Sequence, residues 1–176
     1  KKINLKRRKI QILNEANSYT EEVRRIIKNK YGFEKLYTQG LSIKSPLNIN
    51  YQIEAIKALR DGIEAYDKRQ GWRGPILNTY KDSKWKEKFN NITLDPTLSW
   101  EVAEISEINS EFIQIKIRNT KQKILKNNLL WAIRKKNIKD VFEVGDLIFV
   151  KKTKGQWTLK QYPKVNGGII ALDPYT

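Results

Sequence analysis

A chain of 176 residues with a net charge of +16, 39% hydrophobic and 31% charged residues is long enough to bury a core, as one domain or two small ones. It holds no Cys and no His, which excludes thiolate chemistry, imidazole acid–base catalysis and Cys/His zinc sites within it. No apolar run approaches the roughly 20 residues that span a bilayer. The opening Lys1-Lys2-Ile3-Asn4 has neither an initiator Met nor an apolar signal stretch, so a piece cut from a longer protein is expected.

In chain order, Ile3, Ile10 and Leu13 fall on one side of a short basic helix over 3–13. Ser18-Tyr19-Thr20-Glu21 has the spacing of a capping box, and Val23, Ile26 and Ile27 continue a helical stripe that Gly32 should stop. Leu41 to Ser45 alternates and meets Pro46, which predicts a short strand. Ile53, Ile56, Leu59, Ile63 and Tyr66 recur at steps of three and four and predict a long amphipathic helix, capped by Asn48 or Asn50 and ended at Gly71. Gly62 inside it costs about 1 kcal/mol relative to Ala, which suggests close packing against a partner.

Residues 80–97 lose periodicity and read as a linker. From there the period is two: strands over Trp100–Ile108, Phe112–Arg118, Val144–Lys152 and Gln156–Tyr162, with turns at Asn109-Ser110 and Lys154-Gly155. Ile113, Ile115 and Ile117 should point inward, and Gln114, Lys116 and Arg118 outward. Leu129 to Ala132 is an apolar anchor in a basic stretch, and Gly168 to Leu172 suggests a last strand. The fold class is therefore α+β: a helical linker with a short strand, then a small OB-like β-barrel.

Chemistry-bearing motifs are few. Ser83-Lys84-Trp85-Lys86 spells the S-x-x-K of acylated-serine enzymes, but that chemistry needs the Ser at the start of a buried helix, and this one lies in a charged linker of a Lys-rich chain. Lys152-Thr153-Lys154-Gly155 has one residue too many for K-T-G and suits a hairpin turn. Asp61, Glu64 and Asp67 recur every three residues, as metal ligands can, yet among Lys57, Arg60 and Lys68 they read as a solvated face of ion pairs. Neither catalytic residues, nor metal ligands, nor a cofactor site is expected. Trp72 beside Arg69 and Arg73 suits either a cation–π cluster or packing of the helix end against a neighbouring domain. Trp100, Trp131 and Trp157 are candidate barrel core. The charge excess is spread over both halves of the chain, as in Lys135-Lys136-Asn137-Ile138-Lys139, which marks a compositional bias more than a nucleic-acid footprint.

The run Tyr66-Asp67-Lys68-Arg69-Gln70-Gly71-Trp72-Arg73-Gly74-Pro75 resembles the YD-x-R-x-G-[WY]-RGP segment of class A penicillin-binding proteins, especially the 1a branch. Asn4 to Leu13, Tyr19 to Arg25 with Tyr31-Gly32, Tyr37 to Leu41, Gln52 to Arg60, Leu130 to Arg134, Gly145-Asp146, Trp157 to Leu159, Gln161 to Val165 and Ala171 to Pro174 continue the resemblance along nearly the whole chain. It is their order that makes the likeness specific. One departure is that Asn14 runs almost directly into Glu15, where that family has a longer segment. The other is that neither catalytic centre of the family is present.

The resemblance implies a non-catalytic inter-domain region: a helical linker over 1–79, an OB-like barrel over 80–165, and the first strand of a transpeptidase domain over 166–176. The parent would be a peptidoglycan glycosyltransferase and serine-type D-Ala-D-Ala transpeptidase. It would sit on the periplasmic side of a bacterial inner membrane, held by a transmembrane helix outside these residues. Partners would be its own two catalytic domains, with periplasmic or outer-membrane regulatory proteins or nascent glycan on the barrel face of Gln114, Lys116 and Arg118. Trp72, Arg73, Gly74 and Pro75 would form the structural junction. The rival reading is a free-standing OB or S1-like single-stranded nucleic-acid binder. The best strand argues against it, because its outward residues carry cations but no aromatic platform for bases.

Overall fold

The computed structural model describes residues 14–175, so the helix expected over 3–13 lies outside the described residues. These residues fall into two units, divided between Ala58 and Leu59.

In the first unit, α1 (Asn17–Thr38) is broken at Gly32, where φ is 84° and ψ 165°. Gly32 thus ends the first helical run, as its sequence position suggests, and a short second run follows. The capping box does not form. The helix starts after Ala16 with Ser18 already inside it, and Glu21 turns to the Arg24 guanidinium, one turn on, at 2.5 Å. Glu22 and Arg25 repeat that pair at 2.6 Å. The strand expected over Leu41–Ser45 is absent: the segment pairs with no described residue, and Leu41 and Ile43 stay exposed. Helix α2 (Ile49–Gln70) follows. Asn48 is its cap, its Oδ1 accepting from the N–H groups of Asn50 at 3.0 Å and Tyr51 at 3.3 Å. The division between units falls within α2.

The second unit is built on an antiparallel sheet. Its strands are β1 (Leu77–Asn78), β2 (Glu101–Ile108), β3 (Phe112–Ile117), β4 (Thr120–Leu125), β5 (Asp146–Thr153) and β6 (Gln156–Lys160), ordered β1-β5-β2-β3-β4 with β6 also on β5. Alternation drives the packing. Ile113, Ile115 and Ile117 on β3, Ile105 on β2, Ile124 on β4, Ile148 and Val150 on β5 and Leu159 on β6 all point into one core. The connection from β4 to β5 closes that core with Leu129, Ala132, Ile133, Ile138 and Phe142, carried partly on the one-turn helix α4 (Leu130–Ile133). Leu129 is thus an anchor, as its sequence suggests. Burying such an Ile or Leu contributes about 1.5–3 kcal/mol each, so this core dominates the unit's stability.

Several expectations need correction. Residues 80–97 are not shapeless: helix α3 (Trp85–Asn90) and a 3-10 turn at Pro96–Leu98 occupy much of them. β4 was not expected at all. Residues 165–173 form no strand; they pair with no described residue, and Ile170 and Leu172 are 85% and 84% exposed. The backbone ladders give an antiparallel sheet without joining β4 to β6; across that gap the Trp157 indole N–H donates to Gln122 Oε1 at 3.2 Å.

Candidate functional site: a helix-end latch and a basic hairpin

The end of α2 builds the most connected polar site in the second unit. Gly71, at φ 99°, turns the chain out of the helix, its N–H donating to the Lys68 carbonyl at 3.0 Å. That φ favours glycine, whereas the Arg134 guanidinium that an added Cβ would meet at 2.8 Å is the end of an exposed, flexible side chain and could shift. The turn swings Arg73 back onto Asp67, one turn before the helix end. Their contact is a two-pronged ion pair, Nη1 to Oδ1 at 2.8 Å and Nη2 to Oδ2 at 3.0 Å.

Residues just after β6 complete it. Gln161 Nε2 donates to Asp67 Oδ2 at 2.7 Å and to the Gly71 carbonyl at 3.1 Å, while its Oε1 accepts from the Arg73 N–H at 2.8 Å. Arg73 Nη2 also donates to the Tyr162 carbonyl at 2.8 Å, and the Lys164 N–H to Asp67 Oδ1 at 3.3 Å. Asp67 is 3% exposed, the one buried residue of α2. Burial pushes its carboxyl pKa up, but the bonds from Arg73, Gln161 and the Lys164 N–H, with the charge of Arg73, outweigh that and hold it below its ordinary value. The solvated-face reading of Asp61, Glu64 and Asp67 is therefore wrong for two of the three. Glu64 is largely buried as well, paired with Lys160. Asp67 has no capacity left for a metal, and among the described residues no three His, Cys, Asp or Glu gather.

An aromatic layer lies beside the latch. Trp72 meets Trp131 edge-on at 5.7 Å and Phe142 at 5.6 Å, so its ring packs on the sheet's own core. Neither neighbouring arginine stacks on it: Arg69 lies over Tyr66 at 5.6 Å, and Lys68 over Trp131 at 5.7 Å. Burial, then the charge of Lys160, pushes the Lys68 ammonium pKa down against the pull of Glu64. Gly74, at φ 98°, and Pro75 carry the chain to β1, where the Ile76 N–H donates to the Leu147 carbonyl at 2.8 Å. Trp100 is 8% exposed and packs on Phe149 and Tyr162; Trp131 and Trp157 are half-buried against the core.

A second polar focus, missed in the sequence, joins β1 to β5. Asn78 Nδ2 donates to Asp146 Oδ1 at 2.8 Å, and Asp146 Oδ2 accepts from the Glu143 N–H at 2.8 Å; both side chains are buried. The Gly145-Asp146 pair signals a turn into a strand, but nothing local marks Asn78 as its partner.

Ser83 lies in an exposed turn before α3, with Asp82 accepting from the Lys84 N–H at 3.0 Å and binding Lys88 Nζ at 2.6 Å. An acylated serine needs burial and a base; this one has neither arrangement. Lys154 and Gly155 make the β5–β6 hairpin turn at φ 48° and 81°. Gln114 and Lys116 face outward on β3, and Arg118 is exposed at the tip of the β3–β4 hairpin, at φ 53°.

A family model described as the penicillin-binding protein OB-like domain matches residues 72–165. Penicillin-binding protein 1A of Rickettsia felis is 34% identical over 164 residues, covering 92% of this chain and 20% of that protein. Penicillin-binding protein 1A of Escherichia coli is 26% identical over 180 residues, covering 93% of this chain and 21% of that protein. The crystal structure of penicillin-binding protein 1A from Haemophilus influenzae, at 26% identity, superposes with a TM-score of 0.63 over 84% of this chain and 22% of that one. This chain thus spans about a fifth of the length of the curated relatives it matches. Among its described residues no helix is long and apolar enough to cross a membrane. The matched stretch begins at Trp72 and ends at Val165, bracketed by the latch at both ends, and the chain belongs to the penicillin-binding protein OB-like domain family.

Proposed function

We propose that this chain is the non-catalytic linker and OB-like domain of a class A penicillin-binding protein on the periplasmic side of a bacterial inner membrane. The parent enzyme polymerises lipid II and cross-links peptidoglycan stem peptides through an acyl-serine that penicillin traps, with both centres on parts outside these residues. Residues 1–79 serve as linker, its last strand β1 already paired with β5 of the sheet, 80–165 as barrel, and 166–176 lead into the transpeptidase domain. The strand order, with β6 beside β5 and the Trp157–Gln122 bond across the remaining seam, supports closure into a barrel.

The chain's own contribution is geometric. One observation carries this reading: a buried carboxylate at the end of α2 binds both the residues leading into the sheet and those leading out of it. A spacer needs its two attachment points held at a fixed separation, and a network of charge-assisted bonds around a desolvated acid does that. The test has two parts. The 176-residue chain incubated with a fluorescent penicillin should form no covalent adduct, and a labelled Ser83 would overturn the non-catalytic reading. The reading frame encoding it should carry S-x-x-K within about one domain's length downstream; a frame without it would overturn the parentage.

A further inference from the structure

The β3–β4 hairpin carries a cation cluster that the latch and the core do not use. Lys116, Arg118, Lys121 and Lys123 are all exposed. Register sets Lys116 directly opposite Lys121, and Gln114 opposite Lys123, on the outward face. Opposed side chains on such a ladder have Cβ atoms about 5 Å apart, and like charges there are destabilising. Ion pairs elsewhere absorb comparable cations: Arg60 with Asp95, Lys88 with Asp82, Lys126 with Glu111. Among the described residues none of these four cations has a carboxylate within 4.0 Å. The nearest acid in register, Glu104 opposite Lys116, instead takes the Thr79 hydroxyl at 2.8 Å. Glu107, opposite Gln114 on β2, is the other acid bordering this face.

Repulsion that folding leaves in place on an exposed face is a surface suited to an anion. Same-face residues repeat along a strand about every 7 Å, so Lys121 and Lys123 on β4 form a short row at that interval, with Lys116 opposite Lys121 and Arg118 in the turn at the hairpin tip. Carboxylates of an extended acidic peptide repeat at the same interval. Bases and sugar rings are held largely by stacking on open aromatic faces. The aromatic residue on this face, Phe112, is half-buried with the Lys123 ammonium 4.2 Å from its ring centre. We propose that the outward face of the β3–β4 hairpin docks an extended, carboxylate-rich segment of a partner protein. The proposal goes beyond the spacer reading and does not depend on it.

The test is fluorescence anisotropy of the 176-residue chain with a fluorescein-labelled alternating Glu-Thr peptide at low ionic strength, where surface charges are least screened. K116E/K121E/K123E should weaken binding by about 10-fold or more, and K135E/K136E/K139E, of equal charge change on exposed positions elsewhere, by about 2-fold or less. The neutral set K116Q/K121Q/K123Q should fall between wild type and the Glu set; it decides the matter if the Glu set fails to fold. Equal losses in the two Glu sets would show attraction to net charge alone and overturn the proposal, as would no binding by wild type. Tighter binding of oligothymidylate, or of phosphatidylglycerol vesicles, than of the peptide would assign the face to phosphates and overturn it equally.

Discussion

Replacing Asp67 by Ala removes the acceptor at the centre of the latch. Four donor groups lose their partner: two guanidinium nitrogens of Arg73, the Gln161 amide and the Lys164 N–H. Deleting one member of a buried ion pair costs about 3–5 kcal/mol, because the other charge is left desolvated. Here the Arg73 side chain keeps 28% exposure and can turn to water, which lowers the expected loss to about 2–3 kcal/mol. For a chain of this size that is a fall in Tm of about 5–10 °C. Urea unfolding followed by tryptophan emission suits the measurement, since Trp72 and Trp131 border the site. A double-mutant cycle with Arg73→Ala should return a coupling of about 1–3 kcal/mol, so the double variant loses less than the sum of the singles. A loss below about 0.5 kcal/mol for Asp67→Ala would refute the reasoning, since that is the range of substitutions at indifferent surface sites.

Three further outcomes follow from the same geometry. Because the Asp67 pKa is lower in the folded chain than its ordinary 3.8, the latch's contribution is complete above that value and drains away as pH falls through the folded pKa; urea midpoints of Asp67→Asn should fall less steeply on the acid side than those of wild type. Gly62 is exposed in α2 and an added Cβ would meet nothing within 4 Å, so Gly62→Ala should stabilise by about 0.5–1 kcal/mol by the same unfolding assay. Among the described residues nothing packs closely on that glycine. Gly145→Ala places a Cβ 2.3 Å from the Tyr80 ring at φ 89° and should cost about 1–3 kcal/mol, part of it relieved by Tyr80 moving, since that side chain is largely exposed.

How much of this was legible differed from element to element, for physical reasons. β3 declares itself because three inward Ile alternate with three polar residues and every inward position is buried. β4 does not, since its inward positions are Thr120, Gln122 and Ile124, and Gln122 faces inward to meet the Trp157 indole rather than to fill the core. The apolar stripe of α2 correctly marked a helix but overstated its burial: Ile53 and Tyr66 are 40% and 44% exposed, and the buried residue is an acid. Leu41–Ser45 and Gly168–Leu172 carry strand-forming residues, yet a strand exists only through its ladder, and no described residue supplies one. Ser18 and Glu21 fit a capping box by spacing, but an arginine one turn away is the stronger partner for Glu21. The latch was half readable. Trp72, Arg73, Gly74 and Pro75 stood out as a turn, but Gln161 binds Asp67 from 94 residues away, a distance over which local pattern carries no information.

Because that knot ties residue 67 to residues 73, 161 and 164, the polypeptide leaves the OB-like domain beside the point at which it came in. A domain clasped at its neck behaves like a bead on a loop. Its far side can gain or lose residues, or drift in sequence, without disturbing whatever the neck is joined to. Hairpin tips such as Arg118-Asn119 and Lys154-Gly155 are then where insertions would be cheapest, while a change of one atom at Asp67 would be felt on both sides of the domain at once.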